Sequence, residues 1–107
     1  MVVNNDISKK IIDYAKSKNC ITKETQTSNY VGIWVNEKRR IAKVNNKSID
    51  INGDILKFIN IKHTVRPLRQ NGQPNVCNIK IHYEDAEIKE LFLIVDKSIE
   101  LASKYLF

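Results

Sequence analysis

The chain has 107 residues, 42% hydrophobic and 28% charged, with 18 Lys and Arg against 12 Asp and Glu for a formal net charge of +6. That length suits one domain over residues 1–107, large enough to bury roughly two-thirds of its unfolded surface around a single core. Two isolated cysteines, Cys20 and Cys77, argue against a disulfide framework or zinc knuckle, and there is neither an apolar run of about 18 residues nor a charged-then-apolar leader, so no membrane span and a reducing cytosol are expected.

Asn5 or Asp6 can cap a first helix whose apolar stripe is Ile7, Ile11, Ile12, Tyr14 and Ala15, ending near Asn19. Residues 21–29 show no apolar period and read as a connector. In Tyr30-Val31-Gly32-Ile33-Trp34-Val35 the β-branched residues alternate with Tyr30, Gly32 and Trp34, which predicts a strand. After a turn at Asn36-Glu37-Lys38, residues 39–44 return as a second strand, with Arg40, Ala42 and Val44 on one face and Arg39, Ile41 and Lys43 on the other. Its charge suggests a sheet edge.

Ser48-Ile49-Asp50-Ile51 then meets Asn52-Gly53, a type I′ hairpin signal, which predicts a partner strand over 55–61; Asp54 capping a short helix is the alternative. From Lys62 to Asn75 the apolar pattern stops and a polar loop is expected. Residues 76–83 alternate cleanly, with Cys77, Ile79, Ile81 and Tyr83 inward and Val76, Asn78, Lys80 and His82 outward. Glu84, Asp85 and Glu87 lead into a last helix with Ile88, Leu91, Phe92, Val95, Ile99 and Ala102 at helical spacing. The expected fold is α+β: an N-terminal helix, an antiparallel sheet of three to five strands, and a C-terminal helix packed on one sheet face.

Charge is unevenly spread along this order. Through Lys80 there are fifteen Lys and Arg against six Asp and Glu, net +9; from Ile81 onward there are three against six, net −3. An electropositive body of this kind meets phosphate or an acidic partner, the alternative being a surface that merely solubilises. All four arginines fall in two short segments, Arg39-Arg40 and Arg66 with Arg69. In the loop, Lys62, His63, Arg66 and Arg69 can reach phosphate oxygens, while Gln70, Asn71 and Gln73 suit base edges; alternatively the arginines pair with the acidic helix of the same molecule. Arg39, Arg40 and Lys43 supply a second basic strip. Trp34 or Tyr30 offers a stacking surface for an unpaired base, unless both belong to the core.

Other chemistry is poorly served. Cys20, His63, Cys77 and His82 have no zinc-clip spacing, Glu87-Ile88-Lys89 matches a nuclease tripeptide but opens a helix, and three glycines form no phosphate-cradling loop, so neither metal nor cofactor is expected.

The order of strand, basic strand, arginine-bearing loop, strand and acid-capped helix resembles a small bacterial domain of unknown function, found alone or attached to predicted restriction-type endonucleases and defence proteins. The resemblance lies in Val31-Gly32-Ile33-Trp34-Val35, in Thr64-Val65-Arg66, and in Asn78-Ile79-Lys80-Ile81 leading through Glu84-Asp85 to Leu91, Ile94 and Ser98; Arg69-Gln70-Asn71-Gly72 replaces the family's Gly-His element. It implies a non-catalytic accessory fold in a nucleic-acid context, of bacterial or phage origin. The expectation is therefore a cytoplasmic nucleic-acid-binding module, DNA or RNA, without enzymatic activity of its own. Two alternatives stand beside it. One is an interaction or inhibitor protein of a mobile element with a protein partner; the other is a small-toxin ribonuclease using Arg66, His63 or His82, and Tyr83 without a metal.

Overall fold

The computed structural model describes residues 3–24, 29–65 and 77–104. Helix α1 (Asp6–Ser17) begins where Asn5 Oδ1 accepts from the amides of Ile7 and Ser8, at 2.8 and 3.4 Å. It ends in a left-handed turn at Asn19 (φ 66°), where the Asn19 and Cys20 amides donate back to Lys16 and Ala15. Asparagine tolerates that conformation better than any other residue except glycine, which explains why the helix stops as the sequence indicates. Helix α2 (Ile88–Lys104) opens on a side-chain cap in which Glu90 Oε1 accepts from the Glu87 amide at 2.9 Å.

Between the helices lies a six-stranded antiparallel sheet, β1 (Ile21–Glu24), β2 (Val31–Asn36), β3 (Arg39–Val44), β4 (Ser48–Ile51), β5 (Thr64–Val65) and β6 (Ile79–His82), in the order β1-β2-β3-β4-β6-β5. One sheet face carries Val31, Ile33, Ala42, Val44, Ile49, Ile51, Ile79 and Ile81, all buried against Ile11, Ile12 and Ala15 of α1 and Leu91, Ile94 and Val95 of α2. The helices also meet each other: the Tyr14 and Phe92 rings stack at 4.2 Å, and Tyr14 Oη donates to the Asp96 carboxylate at 2.7 Å. A polar clasp ties α1 to the turn after β3. Tyr83 Oη donates to Asn45 O at 2.6 Å, with Ser8 Oγ 2.6 Å from the same carbonyl.

The α+β class and the helix–sheet–helix order are as expected, with six strands among the described residues rather than three to five. Three local expectations are corrected. Residues 21–24 of the supposed connector form β1, held by β2 along one edge and largely exposed, so no burial pattern marks it. The hairpin at Asn52-Gly53 does not form: Asn52 is extended (φ −73°), its side chain accepts from the Asp54 amide, and Gly53–Lys57 is a 3₁₀ helix, nearer the alternative reading. Ile55, Ile59 and Ile61 are nonetheless buried, and β4 pairs with β6 instead. Finally, β3 is an interior strand between β2 and β4, not an edge.

Candidate nucleic-acid interface

Directly paired residues of an antiparallel sheet point to the same side. The register therefore sets one row of side chains across all six strands on the face away from the helices: Lys23, Gly32, Lys43, Asp50, Lys80 and Thr64. A second, shorter row holds Ile21, Trp34 and Arg40. The full row crosses five strand spacings of about 4.8 Å, or ~24 Å.

Simple alternation would put Arg40 and Lys43 on opposite faces. It does not, because the pairing shifts between Ile33, opposite Ala42, and Trp34, opposite Arg40, leaving Ile41 as an extra residue in β3. Ile41 and Ala42 are both buried, and Arg40 and Lys43 emerge together on the helix-free side.

There they surround two half-buried aromatic rings. Lys23 Nζ lies 4.6 Å from the Trp34 ring centre, Arg40 Cζ lies 5.9 Å from both the Trp34 and Tyr30 rings, and Lys43 Nζ lies 5.2 Å from Tyr30. Arg40 Nη1 also donates to Tyr30 Oη at 3.3 Å. Gly32 makes room for this arrangement: a Cβ there would lie 2.9 Å from Trp34 Nε1, so the indole occupies space that any larger residue would claim. The half-exposed rings, not core, are where Trp34 and Tyr30 belong.

Asp50 is 3% exposed in the middle of the row and lies 3.8 Å from Lys80 Nζ. Cys77 is buried alongside. Burial pushes its thiol pKa up, against the pull of Arg40 and Lys43.

The loop residues singled out in the sequence lie elsewhere or outside the described residues. Lys62 and His63 precede β5 at the far edge, three strand spacings (about 14 Å) from β3. Lys62 Nζ sits 3.7 Å from Asp85, and His63 Nδ1 is 2.9 Å from Ile61 O. Arg39 stands opposite Asn36 beside the β2–β3 turn. Arg66 and Arg69 fall outside the described residues. Lys23 and Lys80 were not singled out: Lys23 sat in a segment without periodicity, whereas Lys80 could have been found from its outward place in the 76–83 alternation.

Tyr83 does not face this side. It is 7% exposed in the core, its hydroxyl engaged by Asn45 and Ser8, and burial pushes its pKa up to about 12. Among the described residues, no three His, Cys, Asp or Glu side chains come together as a metal site, and no helix is long and apolar enough to cross a membrane. No protein-family model, curated protein or solved structure matches the chain.

Proposed function

We propose that the chain is a small nucleic-acid-binding module that grips phosphate with the helix-free face of its sheet. The observation that carries this reading is the cross-strand row, in which Lys23, Lys43 and Lys80, joined by Arg40 from the neighbouring row, set four cations against the single carboxylate of Asp50. A net of +3 among these residues on one side of the sheet is an electrostatic footprint for a polyanion. Arg40 and Lys43 stand at its centre, with Arg39 at the β2–β3 turn and Lys62 and His63 at the far edge. Binding of this kind needs no metal and no bond-breaking step.

The test is a fluorescence-anisotropy titration of the full chain with short labelled DNA and RNA at low and moderate salt. Saturable binding that weakens with salt is expected, and no binding to either at low salt removes the reading.

A further inference from the structure

The face combines charge with aromatic rings, and duplex and single-stranded ligands use those two features differently. A duplex presents phosphates to a flat surface but keeps its bases stacked inside, so it has nothing to offer an indole lying along a sheet. A single strand exposes base faces as well as phosphates. Resting on the nucleic-acid reading above, we propose that the ligand is single-stranded, with one base stacked on Trp34, a second on Tyr30, and the backbone lying across the strands over Lys23, Lys43 and Lys80.

Three features of the site support this. The two rings are half-buried, so they are held in place yet keep part of their surface open. Gly32 lies beneath the indole, whose Nε1 is 2.9 Å from where a Cβ would stand, so the ring runs along the sheet instead of standing away from it. The ring faces are occupied by side-chain cations, Lys23 over Trp34 at 4.6 Å and Lys43 over Tyr30 at 5.2 Å. Lys23 is exposed and long enough to swing aside, so an arriving nucleotide exchanges a cation–π contact for base stacking while the displaced ammonium meets its phosphate. The ~24 Å row suits a site at the short end of the range of 4–16 nucleotides known for single-strand binding folds.

Trp34 is the only tryptophan in the chain, so its emission reports directly on the site. The full chain is titrated with oligo(dT) and oligo(rU) of about 12 nucleotides, with an abasic strand of the same length, and with a hairpin duplex of equal phosphate count. Binding of a base-bearing single strand with quenched emission, at least ~10-fold tighter than the abasic strand and the duplex, is expected. Trp34→Leu, confirmed as folded by circular dichroism, should lose about 10-fold in affinity for the single strand and little for the duplex. Equal affinity for the abasic strand or duplex, without quenching, overturns the single-strand assignment while leaving phosphate binding intact. Binding to none of the four at low salt overturns the nucleic-acid reading itself. The abasic comparison uses the unaltered chain, so the inference stays testable if the variant does not fold.

Discussion

Replacing Asp50 by Asn should tighten nucleic-acid binding, because it removes the one negative charge from the cationic row. With Lys23, Arg40, Lys43 and Lys80 offset by Asp50, the face carries a net of +3. If that net charge sets how many phosphates are neutralised on a single strand, log K should fall with log salt at a slope of about −2.1. Raising salt from roughly 50 to 200 mM then weakens binding about 18-fold. Asp50→Asn raises the net charge to +4, the slope to about −2.8 and the loss to about 50-fold; Lys43→Gln lowers them to about −1.4 and about 7-fold. Anisotropy titrations at four or more salt concentrations measure the three slopes. Because Asp50 is 3% exposed, a melting curve must accompany each variant to show that it is folded at the assay temperature. Three equal slopes, or weaker low-salt binding by a folded Asp50→Asn protein, refute the assignment of the ligand to this face.

Stability predictions follow from the helix side. Tyr83 ionises at about 12 in the folded chain against an ordinary value of 10.0, so between those values the unfolded state binds fewer protons and folding stability is lost as pH rises. The loss is on the order of 2–3 kcal/mol by pH 12, and comparing denaturant midpoints at pH 9 and 11 should show a smaller drop for Tyr83→Phe than for the unaltered chain. Asn5→Ala removes the side-chain acceptor for the Ile7 and Ser8 amides and should cost ~1 kcal/mol in urea unfolding. Ile79→Ala, at a position 1% exposed between the two helices and the sheet, should cost about 2–5 kcal/mol by the same measurement. Gly32→Ala forces Trp34 to move and should shift its emission maximum without changing any charge; an unchanged spectrum contradicts the packing described.

How far the sequence could reveal this structure depended on where side-chain burial, and not backbone pairing, defines an element. Helices α1 and α2 and strand β6 bury a periodic set of residues, so their periodicity is legible. β1 buries none of its four residues fully and exists because β2 offers it backbone partners, so periodicity passes over it. The Asn52-Gly53 signal was overruled by distance: β4 finds in β6 a partner whose Ile79 and Ile81 continue the buried layer, while Ile55, Ile59 and Ile61 reach the same core without strand pairing. The candidate site was half legible for a related reason. The basic residues of β3 were visible, but a one-residue shift at Ile41 decides which face they share, and strict alternation cannot show it.

The order of residues along the row bears on how an interior strand tolerates so much charge. Like charges directly opposite each other destabilise a sheet. Along the row no two cations are neighbours: Gly32 separates Lys23 from Lys43, Asp50 separates Lys43 from Lys80, and Thr64 ends the row beside Lys80. The three lysines of the row recur on alternate strands, about 9.6 Å apart, far enough for water and salt to screen much of their mutual repulsion. Asp50 therefore has opposite effects on the two properties. It relieves the fold where Lys43 and Lys80 flank β4, and it subtracts from the field a polyanion meets. Removing it should shift the balance from stability toward affinity, so Asp50→Asn ought to bind more tightly and melt earlier. Lys23, on the exposed edge strand, has no such compensating role, and its replacement should lower affinity while leaving the melting temperature nearly unchanged.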